Sequence, residues 1–324
     1  MGRKKVVAGI DIGGTNTVFG LVDRDGNIIF EGSVSTGRYP DIDEYVTELY
    51  SWITKANDES DEETDLIGIG IGAPMGNINK GTIELAAGLP WKGIVPLSGI
   101  FRKHTSMPVI VTNDANAAAV GEMIYGGASN MRNFVVITLG TGLGSGIVVD
   151  GKLVYGHDGF AGELGHTSVL AGESNRICGC GKKGCLETYA SATGLKRNLL
   201  EVMADSIEPS ELRKISFQDL DARKIHEAAV KGDKLALEAF EYTGRMLGIK
   251  LADLVAHTNP EAIFLFGGLA QAGEFIFDPT EKYMEENLLS IYRGKVKLLK
   301  SQLSLQNSAV LGASSLVWSE VEQK

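Results

Sequence analysis

Short apolar runs broken by glycine turns fill the first half of the chain, and helical periodicity takes over in the second. Val6–Asp11 is an apolar run closing on an acid, the pattern of a buried strand. Val18–Val22 and Ile28–Val34 read as its hairpin neighbours, with Asp25-Gly26 as a tight turn. Asp41–Ala56 has helical spacing, Leu66–Gly72 alternates Ile and Gly as a strand, Pro108–Thr112 is a further strand, and Ala115–Tyr125 is an alanine-rich helix. The opening arrangement then recurs. Phe134–Leu139 predicts a strand, a glycine-rich loop follows, Ile147–Val149 predicts a second strand, and Asp150-Gly151 turns into Lys152–Val154. Side by side, VAGIDIGGTNTVFGLVDRDGNI and FVVITLGTGLGSGIVVDGKL share strand, glycine loop, strand and Asp-Gly turn in one order, so a duplicated α/β unit is expected. From about Asp221 the pattern is helical. Phe240, Leu247, Leu251 and Leu254 share one face of a long helix ending near Asn259-Pro260, Ala262–Phe266 is a buried strand, and Ala309–Val317 is a closing helix.

At 324 residues the chain exceeds the usual single core, so two domains are expected, joined by a hinge within ordered structure. A net charge of −10 offers no basic surplus to displace phosphate counterions, which argues against nucleic acid as a partner. The basic start Met1–Lys5 meets an apolar run far shorter than the ~20 residues of a spanning helix. Neither membrane nor export is expected, and the cytoplasm is the expected compartment. Glycine departs most from average: 41 residues where about 23 are usual. With 8 prolines and no G-X-Y period, collagen and low complexity are excluded, and the surplus is assigned to backbone approaching ligands.

Four motifs carry chemistry. Asp11-Ile12-Gly13-Gly14-Thr15-Asn16 ends a strand; its glycines aim N–H groups at phosphate, Thr15 and Asn16 add donors, and Asp11 is placed to hold magnesium through water. A plain hairpin turn would explain Gly13-Gly14 alone. Gly140-Thr141-Gly142, opening a run of alternate glycines to Gly146, stands at the equivalent place in the second half, so two loops can cradle one polyphosphate. Walker A is absent, and the literal G-x-G-x-x-G at Gly179–Gly184 lies among cysteines with no strand before it. Asn113-Asp114 follows a strand and opens a helix, where α/β sheets place ligands; Asp114 can take a proton from a hydroxyl, or either residue can simply cap the helix. Finally, His166 with Cys178, Cys180 and Cys185 supplies one imidazole and three thiols, a closed structural zinc set that fixes the loop bearing Glu163 and Glu187. The three cysteines span eight residues, an odd and crowded set that suits metal better than disulfides. His104, His157, His226 and His257 read as surface or packing residues.

The combination resembles the ROK family of sugar kinases and sugar-responsive repressors, within the actin–hexokinase superfamily. The likeness covers nearly the whole chain and is most specific in ExGH at Glu163–His166 and CGCGxxGCLE at Cys178–Glu187. It implies two duplicated actin-like (ribonuclease H-like) α/β domains with a cleft between them and a zinc-bound loop. The expected division is 1–112 plus 309–324 against 113–308. It implies that Asp114 is the catalytic base, that Gly76, Asn113, Glu163, His166 and Glu187 serve the sugar, and that Gly267-Gly268 contacts adenosine. Met75 and Gly88 depart from the family pattern, in which glycine and asparagine are usual, and bear on sugar identity. ATP, magnesium and structural zinc are the implied cofactors, a hexose such as glucose the substrate, and a homodimer or higher oligomer the assembly. N-acetylmannosamine or another hexose, polyphosphate as donor, and a sugar-binding regulator are the alternatives. The last is disfavoured because only five residues precede the first strand, leaving no room for a helix-turn-helix.

Overall fold

Two five-stranded sheets of one topology organise the computed structural model, which describes residues 3–60, 63–86, 88–169, 174–303 and 308–322. The first contains β1 (Lys4–Ile12), β2 (Asn16–Asp23), β3 (Ile28–Ser35), β4 (Thr64–Gly72) and β8 (Val109–Thr112), ordered β3-β2-β1-β4-β8. The second contains β9 (Phe134–Leu139), β10 (Leu143–Val149), β11 (Lys152–Leu153), β12 (Ala262–Phe266) and β13 (Lys297–Lys300), ordered β11-β10-β9-β12-β13. In each, three strands form an antiparallel meander and two more are added in parallel. The duplication expected from the repeated strand–glycine–strand pattern is present.

Strand parity decides what β1 offers to each side. Val6, Ala8, Ile10 and Ile12 pack with Tyr45, Val46 and Leu49 of α1 (Ile42–Asp58). Asp41 starts that helix, its carboxylate accepting from the backbone N–H of Asp43 at 2.7 Å and Glu44 at 3.1 Å. Val7 belongs to the opposite layer, with Leu316, Val317 and Trp318 of α8 (Ser308–Glu322). Burying Leu316 and Val317 there stabilises the layer by about 2 kcal/mol each. Asp11 has the parity of Val7 and so faces this inner layer. Gly9 and Gly70 bring α8 down onto the sheet: a Cβ on Gly70 would lie 1.9 Å from the Ala313 carbonyl oxygen.

Between the sheets runs α3 (Asp114–Tyr125), buried at every position from Ala115 to Glu122. Ala118 and Ala119 touch the second sheet, while Ala117 and Val120 face α8. Alanine suits a helix squeezed from both sides. A Cβ on Gly121 would stand 2.9 Å from the Cα of Gly312, so α3 and α8 cross glycine on glycine. Among the described residues no cation pairs with the buried carboxylate of Glu122; it accepts from the N–H of Gly127 at 2.7 Å, from that of Gln302 at 3.1 Å and from the Ser301 hydroxyl.

The remaining elements are β5 (Gly76–Asn77), β6 (Thr82–Glu84) and β7 (Ile94–Val95), a small third sheet, and α2 (Leu97–Phe101), α4 (Ala192–Asp205), α5 (Ala222–Val230), α6 (Lys234–Thr258) and α7 (Glu274–Asn287). The helices α4 to α7 and the second sheet enclose the largest core, including Phe240, Leu247 and Leu251. Asn259 ends α6 in the left-handed conformation, φ 42°, as its Asn-Pro sequence leads one to expect.

One expectation is corrected. The run from Gly144 to Gly146 lies in β10 rather than in a loop. Cβ atoms on Gly144 and Gly146 would meet Ala115 at 2.9 Å and Ala119 at 2.6 Å, and one on Gly68 would meet Val317 at 2.8 Å. With Gly70, these glycines make room for helices, so part of the surplus serves packing rather than ligands. Among the described residues no helix is long and apolar enough to cross a membrane.

Candidate active site

The carboxyl ends of β1 and β8 meet at the start of α3, bringing Asp11 beside Asp114. Gly72 stands between them. A Cβ there would make ordinary contact, at 3.6 Å, with both the Asp11 carboxylate and the Cα of Asp114, and a tight one, at 3.3 Å, with the Ala117 methyl. Burial, and then the charge of Asp114, raise the pKa of Asp11 to about 7. Burial likewise raises Asp114, against the opposing hydrogen bond from the Ala115 N–H at 2.9 Å. The Asp114 surface is nevertheless open to the cleft: packed protein on one side desolvates it, and the other side is reachable by a ligand. Two acids held together without a cation form a site that favours a divalent ion, so Asp11 fits the expected magnesium. Asn113 caps α3, its Oδ1 accepting from Asn116 N–H at 2.8 Å, which leaves its amide nitrogen for a ligand.

Both glycine loops close on their own first residue. Gly13 N–H donates to the Asn16 carbonyl at 3.0 Å, and Gly140 N–H to the Gly142 carbonyl at 3.1 Å. The exposed groups are then Gly14, Thr15 and Asn16 on one side and Gly140 and Thr141 on the other, with Gly142 half-buried. Gly140 and Thr141 also line a cavity of about 490 Å³ with Gly268, Asp221, Arg223 and His226. Gly267, φ 104°, presses against the Leu139 carbonyl and turns the chain into that wall. The wall formed by the start of α5 was missed in the sequence: the helix start at Asp221 was legible, but its place beside Gly268 was not. His226, expected to be a packing residue, both lines the cavity and rests on Phe240 and Phe275, with ring centroids 6.3 and 5.4 Å away.

The four proposed metal ligands converge, with the ligand atoms of His166, Cys178, Cys180 and Cys185 all within 4.8 Å of one another. Zinc–sulfur and zinc–nitrogen bonds in a tetrahedron predict edges of about 3.8 Å between sulfurs and about 3.6 Å between sulfur and nitrogen. Cys180 Sγ lies 3.7 Å from Cys185 Sγ, and Cys178 Sγ lies 3.6 Å from His166 Nδ1. The residues fit zinc. His166 then has two faces: Nδ1 toward the sulfurs, and Nε2 toward Glu163 at 3.8 Å. Burial, followed by the charges of Asp114 and Glu187, raises Glu163, and His166 opposes that.

Glu187 joins this centre to the second glycine loop. One oxygen accepts from the Cys178 thiol at 3.0 Å, and the other lies 3.4 Å from the Leu143 N–H. A cavity of about 270 Å³ lined by Thr141, Gly142, Cys178, Glu187, Ser191 and Arg197 lies between them. The largely buried Arg176 pins the loop from behind, stacking 4.0 Å from the Tyr189 ring centroid and donating to Asn198 and the Thr188 carbonyl, each at 2.7 Å.

Gly76 is buried, and a Cβ on it would lie 2.1 Å from the Thr112 carbonyl oxygen, so it lets the small sheet abut the end of β8. Met75 adopts φ 57°, a conformation that explains glycine as the family norm. Gly88 is exposed with nothing within 4 Å of a would-be Cβ, and its carbonyl oxygen would lie 2.7 Å from a Cβ on Gly14, so its loop runs close to the first glycine loop. Ala87, in the same loop, lies outside the described residues.

The chain is similar in sequence and fold to known proteins. A glucokinase from Halalkalibacterium halodurans is 36% identical over 280 residues, spanning 86% of this chain and 84% of that protein. A xylose repressor from Caldicellulosiruptor bescii is 29% identical over 97% of this chain and 78% of its own length. The crystal structure of a ROK family glucokinase from Streptomyces griseus, in complex with glucose and AMPPNP, matches with a TM-score of 0.79 and 32% identity, over 96% of this chain and 98% of that one. The sequence profile of the ROK family matches residues 7–320, almost all of the two sheets, the His/Cys cluster and the closing helix. By sequence, fold and the residues gathered in its cleft, the chain belongs to the ROK family.

Proposed function

We propose that the protein is an ATP-dependent sugar kinase acting on a hexose, glucose first among them, with Asp114 as general base. The observation that carries this is the proximity of Asp11, Asp114, Glu163, His166 and Glu187, close enough to act on one another's charge, with Glu187 lining a cavity that shares Thr141 with the glycine-lined one. Relatives at 32–36% identity that span most of the chain are glucokinases. The division into residues 1–112 plus 309–324 and 113–308 follows the two sheets, with α3 and α8 at their boundary.

In this reading the sugar lies between Asp114 and the zinc loop. Asn113 Nδ2, Glu163, His166 Nε2 and Glu187 hold its hydroxyls, a set of polar partners that a polyol satisfies and an apolar ligand leaves unpaired. Asp114 accepts the proton of the attacking hydroxyl; its raised pKa makes it a stronger base than an ordinary carboxylate. Adenosine occupies the cavity beside Gly268, and the phosphates lie across Thr141 and Gly14–Thr15, whose groups stabilise charge as it gathers on the transferred phosphoryl. Magnesium held at Asp11 would neutralise phosphate charge, and zinc would fix the ring of His166. Closing the cleft excludes water, the competing nucleophile.

A coupled ATP assay across hexoses and N-acetylhexosamines tests the proposal. Turnover on glucose above all others is expected, and binding without turnover on any sugar would replace the kinase with a regulator.

A further inference from the structure

Three features outside the chemistry above stand out: a cavity of about 580 Å³ lined by Ser210, Lys224 and Asp233, the exposed Leu289 and Ile291 after α7, and a pair of asparagines that bridge the two halves. Only the last has a geometry that dictates a role. Asn77 is fully buried in β5, within the segment between β4 and β8 that packs on the first core. Its Nδ2 donates to the Asp158 carbonyl at 2.7 Å, and Nδ2 of the exposed Asn79 donates to the His157 carbonyl at 3.2 Å. His157 and Asp158 belong to the loop that leaves β11 in the second half and delivers Glu163.

That loop turns on three glycines. Gly156, Gly159 and Gly162 have φ of 72°, 87° and 93°, conformations that a side chain would strain. A Cβ on Gly159 would stand 2.6 Å from Asn77 Oδ1, so the two segments touch backbone to side chain. On its far side the loop is held to its own sheet, where the Ser145 hydroxyl donates to the Gly162 carbonyl. Glu163 follows directly, and its position is set from both halves of the molecule at once.

We propose that Asn77, assisted by Asn79, is a positioning residue that couples Glu163 to the first half of the molecule, so that the hydroxyl grip forms only when the two halves are in register. The latch rests on the sugar-kinase reading for its catalytic consequence, but not for its existence. Asn77 Oδ1 has a separate duty, accepting from the N–H groups of Asn79 at 3.0 Å and Lys80 at 3.2 Å. Asn77 Nδ2 also donates to Glu84 Oε1 at 3.3 Å, so Asn77→Asp keeps the turn but removes the donor from both partners, setting a carboxylate oxygen against the Asp158 carbonyl and the Glu84 carboxylate. Losing one such hydrogen bond corresponds to about a tenfold change.

Steady-state kinetics of Asn77→Asp and Asn79→Ala, alone and combined with Glu163→Gln, decide the matter. The expected result is a sugar KM raised about tenfold in Asn77→Asp and less in Asn79→Ala, with ATP KM and kcat unchanged. The sugar KM of Glu163→Gln should then not rise further when Asn77→Asp is added. Hydrogen exchange at residues 156–163 should accelerate in both single variants, with or without sugar. An unchanged sugar KM in both, a parallel rise in ATP KM, or additivity with Glu163→Gln would overturn the coupling. Unchanged exchange would overturn the latch itself. If the parent protein turns over no sugar, the exchange measurement still decides whether the bridge holds the loop, while the kinase reading falls separately.

Discussion

Asp11 is a charge held at a cost, and replacing it should improve the fold while disabling the enzyme. Its carboxyl is raised from 3.8 to about 7 by burial and by Asp114. The shift of about 3 units corresponds to about 4 kcal/mol of preference for the neutral form, an upper bound because water reaches the cleft. Between these two values the unfolded chain has released its proton and the folded chain has kept it, so folding stability falls as pH rises from about 4 to about 7. Above that window the cost is fully incurred. Asp11→Asn removes it. In urea titrations without magnesium, the variant should match the parent near pH 4 and exceed it by about 2 to 4 kcal/mol at pH 8. Adding magnesium should narrow the gap by stabilising only the parent, and phosphoryl transfer by the variant should collapse. Equal stabilities at pH 8, or a gap that widens toward acid, would refute the reasoning.

Other consequences follow from the same geometry. Asp114→Asn should lower kcat by about 10² to 10⁴ while sugar binding, read by calorimetry, persists; retained turnover would remove Asp114 from its role. Elemental analysis should find one zinc per chain, and Cys185→Ala should abolish it and raise the sugar KM through His166, so full activity in folded, zinc-free protein would defeat the assignment. Met75→Gly should raise thermal stability by about 1 kcal/mol if relief of φ 57° outweighs lost packing against Ile83 and its neighbours, which a melting curve measures.

The elements that carry strong patterns were legible in the sequence. Phe134–Leu139 and Ala262–Phe266 appear with those bounds, because an apolar run that starts after polar residues and stops at a glycine leaves little choice. The His/Cys cluster was legible because three sulfurs within eight residues have few other uses. The small sheet from β5 to β7 was not. Strands of two or three residues have no period to read, and their pairing is imposed by Thr112 pressing on Gly76. The cavity wall at Asp221, Arg223 and His226 was equally hidden, since residues far apart in the chain meet there only through tertiary packing. The sequence assigns two expected roles to His166, and its two ring nitrogens face different partners, Nδ1 the Cys178 sulfur and Nε2 the Glu163 carboxylate.

The return of α8 to the first sheet also shapes how the chain is made. β1 is complete at Ile12, but the helix that covers its inner face begins at Ser308. At about 5 to 20 residues per second, a ribosome takes roughly 15 to 60 s to supply that cover. Over that interval the layer holding Val7 gains Ile110, Ala117 and Val120 but still lacks Leu316, Val317 and Trp318, whereas every strand of the second sheet is made before Ser308. The half of the protein synthesised first is thus finished last, and the nascent chain presents an apolar sheet face for chaperones until its final helix emerges.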